Sequence, residues 1–197
     1  MGRYTGKLAT DVYGIVADEA KLAHVAITAE EAAALDADGV HAAITGSSEE
    51  ATTVTNDITD PPYPRNITVT PGGTTADVAA GDVVVTGTNM ADEVISETFT
   101  FLANAESAKV GAKAFKTVTS ILVPQQDGAA ATFTVGWGDV LGLPFLLTTK
   151  TLVMAVFNGI IETTAATQVI DADELEKNTV DLNSALDGKT VDLYLAL

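Results

Sequence analysis

The sequence predicts a mainly β protein, an antiparallel β-sandwich or barrel-like domain preceded by an N-terminal arm containing a short helix. Three observations carry that expectation. Hydrophobic residues make up 47% of the chain but aromatics only 6%, so Val, Ile, Leu and Ala must fill the core, alongside abundant Thr. Such β-branched residues favour pleated, half-buried surfaces. Short alternating runs recur between clusters of Gly, Pro, Asn and Asp, the spacing of sandwiches and barrels, and no helices alternate with them as around a parallel sheet. At 197 residues the chain can bury a core without disulfide or metal staples.

Residues 1–59 are Ala-rich and acidic and read as an arm or small subdomain. Within them TAEEAAAL (28–35) reads as the short helix. Thr28 stands at the N-cap, Glu31 completes a capping box three residues on, and Gly39 ends it. GSSEEATTVTN (46–56) is polar and reads as a linker or an exposed strand. Pro61, Pro62 and Pro64 follow. Proline fixes φ, donates no hydrogen bond and pushes its predecessor to extended geometry, so this segment is expected to be a stiff junction between arm and body. Arg65, one of two arginines, is placed to clamp a carboxylate or carbonyls across that junction.

Residues 60–197 read as the β-domain, with 63–147 as a core sandwich and 148–197 as strands completing it. Residues 66–70 alternate like a strand and Pro71-Gly72-Gly73 reads as a turn. Strands are expected over 82–88, 93–101, 114–123 and 131–135, with a turn at 126–128. Gly136 and Gly138 flank the sole tryptophan, Trp137, in what reads as a tight loop folding the ring over a core edge; an interface anchor is its alternative role. Strands follow over 151–158, within 159–170, over 178–182 and over 190–195, the last two joined through an Asp187-Gly188 turn. The final run, VDLYLAL, is expected to be tied into a sheet.

Charge excludes whole function classes. Ten Lys and Arg against 27 Asp and Glu give a net charge of −17, with no basic patch to neutralise phosphates, so nucleic acid is not an expected partner. Such acidity keeps a protein soluble at high local concentration. The absence of cysteine removes disulfides, thiol catalysis and Cys-based zinc sites together. MGRYTGKLATDVYG (1–14) lacks the apolar core of a signal peptide, and the longest apolar run, 151–161, is shorter than the ~20 residues a membrane helix needs. Synthesis in a cytoplasm, without a membrane partner, is therefore the expectation.

No constellation of catalytic groups emerges. His24 and His41 lie seventeen residues apart on no shared element and read as surface or structural residues. Asp36-Ala37-Asp38-Gly39 fails the EF-hand pattern, because its Gly comes fourth and Ser47 stands at the twelfth position. Asp171, Asp173, Glu174 and Glu176 have the density for a hard cation but read first as a solvated acidic loop. No serine sits in Gly-x-Ser-x-Gly, and no lysine follows Gly136 and Gly138 where a phosphate loop needs one. Asn66-Ile67-Thr68 matches a glycosylation sequon by chance. The chain is expected to be no enzyme and to carry no cofactor.

PRNITVT (64–70), DVVVTGTN (82–89), ISET (95–98), VGAKAFKTV (110–118), GDVLGLP (138–144) and EKNTVDLNSALDG (176–188) occur in that order. Taken together they resemble a family of small virion structural proteins of tailed bacteriophages, over roughly residues 60–197. The resemblance implies a head decoration or head-fibre protein bound to the major capsid protein on the capsid exterior, made in the host bacterial cytoplasm. It brings no catalytic residues. It also implies a closed homo-oligomer, such as a trimer, that engages several lattice sites at once. Arg3, Tyr4, Lys7, Tyr13 and Lys21 are then the candidate partner-binding residues of the arm. A tail-tube or baseplate component is the alternative. A carbohydrate-binding adhesin module is disfavoured by the scarcity of aromatic platforms.

Overall fold

The structure, a computed structural model, describes residues 21–197 together with the backbone of Leu8–Ala9 (β1) and Val16–Ala17 (β2), which pair antiparallel. The remaining strands are Leu22–Ile27 (β3), Asp36–Thr45 (β4), Thr52–Val54 (β5), Arg65–Gly73 (β6), Gly81–Thr88 (β7), Val94–Phe101 (β8), Lys109–Phe115 (β9) and Thr117–Val123 (β10). Then come Ala131–Gly142 (β11), Leu152–Phe157 (β12), Ile160–Ile161 (β13), Thr167–Val169 (β14), Thr179–Asp181 (β15) and Val191–Ala196 (β16). Every pairing is antiparallel, and the mainly β expectation holds.

Two cores form. The first lies between the sheet β5-β10-β7-β8 and the strands β4, β11, β6 and β9, and is filled by Ile67, Val83, Phe101, Phe115, Ile121 and Phe133 among others. The second lies beneath the sheet β13-β12-β16-β3 and holds Ile27, Leu141, Leu143, Val180, Leu193 and Leu195. Strand β11 belongs to both: Phe133 and Val135 enter the first core, Leu141 the second. Residues 148–197 extend one sheet of the first sandwich, since β15 pairs with β11 and β14 with β15, but their side chains largely serve the second core. With 22–32 and 141–147 they build a core of their own.

Residues 21–59 are part of the body, since β3, β4 and β5 pair with β16, β11 and β10. The expected boundary at 59/60 falls inside a connection, where Pro61 is buried and Pro62 and Pro64 are half-buried. The prolines stiffen a segment running over the body rather than a hinge beside it.

The helix expected over 28–35 is a single turn. The capping box forms as read: Thr28 N–H and Oγ1–H both donate to Glu31 Oε2 at 2.8 Å, and Glu31 N–H donates to Thr28 Oγ1 at 3.3 Å. Ala32 N–H then donates to Thr28 O at 2.9 Å, and the helix goes no further. The carbonyls that a second turn needs are taken by side chains: Arg65 donates to Glu31 O and Ala33 O, and Trp137 donates to Ala34 O. Tertiary hydrogen bonding overrides a local propensity of a few tenths of a kcal/mol per residue, about what helix scales allow.

Three other expectations change. Residues 114–123 are not one strand, because Lys116 marks a corner at which the chain passes from β9 to β10 in another sheet. Residues 71–73 continue β6, with Pro71 past the last β9 partner, on an edge where a missing N–H costs no ladder bond. Gly136-Trp137-Gly138 is likewise strand rather than loop. Between Val135↔His41 and Trp137↔Asp36, four residues of β4 stand opposite Gly136 alone. The bulged backbone comes so close that a Cβ on Gly136 would lie 1.9 Å from Asp36 O.

Gly39, expected to stop a helix, lies in that bulge over the Trp137 ring, where a Cβ would be 2.5 Å from an indole carbon. The Gly39→Val variant should push the half-buried indole off Ala34 O and toward water. Tryptophan emission, from a single ring, should shift to the red; an unshifted spectrum would contradict the packing.

Candidate functional site

Among the described residues, the sheet β13-β12-β16-β3 buries one face and leaves the other open. Opposed residues of a ladder point to the same side, so the registers sort its residues into rows. Phe157–Val191–Ile27, Ala155–Leu193–Val25 and Leu152–Leu195–Ala23 line the second core. The outer rows are Ile161–Val156–Asp192–Ala26, then Met154–Tyr194–His24, then Ala196–Leu22. A solvent-facing side of an antiparallel sheet is ordinarily polar. Here it carries Ile161, Val156, Met154, Tyr194 and Leu22, with Leu22 66% and Ile161 58% exposed.

Its one carboxylate is hydrogen-bonded within the face. His24 Nε2 lies 2.7 Å from Asp192 Oδ1, and the His24 ring stacks on Tyr194 with centroids 4.6 Å apart and planes 6° from parallel. Beside the face, a cleft of about 460 Å³ opens between β12 and the loop 162–168, lined by Lys150, Val153, Met154, Ile161, Glu162 and Thr167. Buried Gln168 shapes its floor by accepting the N–H groups of Thr151 and Leu152 at 2.9 and 3.0 Å.

Of the expected partner-binding residues, Arg3, Tyr4, Lys7 and Tyr13 lie outside the described residues. Lys21 is exposed at the margin of the open face, where its backbone exchanges two 2.8 Å hydrogen bonds with Leu197.

Arg65 clamps carbonyls, as its position suggested, and is fully buried. Nη1 donates to Ala33 O at 2.9 Å and Nη2 to Glu31 O at 3.1 Å. Trp137 Nε1 donates to Ala34 O at 3.2 Å, and Asp139 accepts from Leu35 N–H. Successive residues of the strap 31–35 are thus held from β6 and β11, and β3 is tied to the rest of the molecule. Burial lowers the Arg65 pKa to about 10, against the opposing charge of Asp139. Burial raises Asp139, with Arg65 acting against that rise and Asp181 adding to it. Tyr63 nearby is pushed up to about 12 by burial and by Glu31.

Asn66 beside it, in the sequence only a strand residue and part of a chance sequon, is just as structural. Three residues of β11, 138–140, oppose Asn66 alone, and its side chain fills the bulge by accepting from Val140 N–H at 3.1 Å and donating to Gly111 O at 3.3 Å.

Two lysines pair with three of the four carboxylates of the acidic loop. Lys113 Nζ lies 2.9 Å from Glu174 and 3.0 Å from Glu176, while Lys177 pairs with Glu174 and Asp171. Burial alone would raise the Glu176 carboxyl, but a backbone hydrogen bond and those from Lys113 and Asn89 outweigh it and hold it low. A lowered carboxylate contributes stability above its unfolded pKa and loses it as pH falls through the folded value. Glu176→Gln should therefore cost about 2 kcal/mol at pH 7 in urea denaturation, with the deficit vanishing toward pH 3. A deficit independent of pH would contradict the pairing.

Comparison of the chain with protein-family models, with curated proteins and with solved structures finds no match to any of them.

Proposed function

We propose that the chain is a virion structural protein of a tailed bacteriophage, a decoration protein that docks on the major capsid protein lattice as a homo-oligomer. The open apolar face of the C-terminal sheet carries this reading. Contiguous exposed apolar surface on a soluble protein marks an interaction site, and the rest of this chain is strongly acidic. The ordered run of motifs over 60–197 supports the same reading through its resemblance to such proteins.

The size of the face bears on the mode of docking. Three strands of six residues about 4.8 Å apart, with the two-residue β13 at one margin, span roughly 300 Å². A freestanding specific complex buries ~800 Å² per partner. One copy would hold weakly, whereas several copies tethered together on a repeating lattice would hold by avidity. The strap 31–35, hydrogen-bonded from Arg65 and Trp137, ties β3 of the sheet to the body, which lowers the ordering entropy that opposes docking.

The test is co-sedimentation with undecorated heads of the phage whose genome encodes the chain. Met154→Glu and Ile161→Glu place charge on the face without touching either core. Each should weaken binding at least tenfold at unchanged thermal midpoint. Leu102→Glu alters a residue that is 77% exposed and distant in sequence from the face, and should bind like the unaltered protein. Equal binding by all four proteins would defeat the reading. Spontaneous tubes of purified protein in electron micrographs would favour a tail component instead.

A further inference from the structure

Strand β3 closes the C-terminal sheet, and among the described residues nothing pairs with its outer side. Its backbone polarity can be read off. Lys21 and Leu197 exchange both hydrogen bonds, and the β3–β16 register continues from Leu22 to Ile27 without a shift. Antiparallel ladders alternate hydrogen-bonded and non-hydrogen-bonded pairs, so Ala23, Val25 and Ile27 turn their N–H and C=O groups toward β16. Leu22, His24 and Ala26 turn theirs to the open edge.

The edge has none of the usual guards. LAHVAI contains no Pro, no Gly, no Lys and no acidic residue, and its register carries no bulge. Other edges differ. β4 is twice shifted against β11, bears Asp36 and Asp38, and has its Val40 carbonyl taken by Thr59 N–H. β5, β13 and β14 have three residues or fewer. β8 is joined to β9 by Glu97, which accepts from Ala112 and Lys113 N–H.

We infer that this edge pairs with the same edge of a second copy, as a two-fold antiparallel dimer centred on His24. Core-facing residues must stay on the core side, so only residues of equal parity can stand opposite one another. With His24 opposite His24 of the second copy, Leu22 meets the other Ala26 and Ala26 the other Leu22. Each opposed pair exchanges both outward bonds, about six hydrogen bonds in all.

Charge favours this location. A net charge of −17 sets two copies against each other almost everywhere. Here the strand carries no acid, and the carboxylate of Asp192 behind it is hydrogen-bonded to His24. Antiparallel pairing of identical edges is isologous and closes at two copies, so this contact builds a dimer rather than a trimer. It also sets two open faces side by side in one eight-stranded sheet, a platform of roughly 600 Å². The inference deepens the oligomeric part of the proposed function and is tested without heads present, so its failure leaves the docking reading standing.

Sedimentation of the purified full chain should give twice the chain mass at tens of micromolar. Ala26→Pro removes an outward N–H that the β16 ladder does not use, a placement edge strands tolerate. It should weaken association at least tenfold with unchanged far-ultraviolet dichroism. As a second variant, His24→Cys introduces a lone thiol into a chain without cysteine. Hydrogen-bonded antiparallel pairs sit ~5.5 Å apart at Cα, within disulfide range, so oxidation should give one covalent dimer much faster than Leu102→Cys does. A monomeric unaltered protein, an unchanged dimer in Ala26→Pro, or equal cross-linking by the two thiols would each overturn the inference.

Discussion

Replacing Arg65 by alanine is expected to destabilise the fold by about 3–5 kcal/mol, the sum of two lost charge-assisted hydrogen bonds and the cavity left behind. Two losses combine. The carbonyls of Glu31 and Ala33 lose charge-assisted donors, and half-buried Asp139 loses the nearby positive charge that opposes the rise of its pKa. The cavity left by a fully buried arginine adds to both. For a chain of this size the thermal midpoint should fall by about 10 °C or more. Arg65→Lys should recover only part, since one ammonium cannot reproduce the forked geometry that spans two carbonyls. A loss below 1 kcal/mol in Arg65→Ala would mean that the strap is held by packing alone.

Gly136→Ala is expected to cost about 3 kcal/mol, at the upper end for overpacking. The obstacle is backbone: the added Cβ would meet Asp36 O at 1.9 Å and Ala37 C at 2.5 Å. No rotamer relieves that contact, so β4 must lift from β11 between His41 and Asp36. The same lift would carry Gly39 away from Trp137, so denaturation and tryptophan emission should change together. A neutral Gly136→Ala would show that the bulge is wider than the structure has it.

These two positions show what was legible in the sequence. Arg65 was readable because an arginine beside three prolines in an acidic chain has few other uses, and its carbonyl partners lie within 34 residues. Gly136 was read as a loop residue. The glycine was noticed, but the reason for it, a close approach by residues 36–37, depends on a pairing across about a hundred residues. Period-2 patterning located most strands, since a half-buried strand must alternate wherever it pairs. It could not tell that 148–197 serve a second core, because the partners of that core include 22–32 from the far end of the chain.

The helix over 28–35 failed for the complementary reason. Its local signals were sound, and the capping box is present, but donors from β6 and β11 took its carbonyls. Asn158-Gly159, at φ of 51° and 74°, makes the tight turn between β12 and β13, at the break the sequence places between strands 151–158 and 159–170. The open face was the least legible feature. Val156, Tyr194 and His24 become neighbours only through the order β12-β16-β3, which assembles strands from both ends of the chain. One signal did exist: VDLYLAL places Tyr194 on the side opposite Leu193 and Leu195, where a polar residue would ordinarily stand.

The most direct test of the docking face is a cryo-electron microscopy reconstruction of heads carrying the bound protein. The account predicts that Met154, Val156, Ile161 and Tyr194 lie against the capsid shell, with the first sandwich, β5 to β10, directed outward. A bound protein whose C-terminal sheet turns this face to solvent, with the capsid contact made elsewhere, would contradict it.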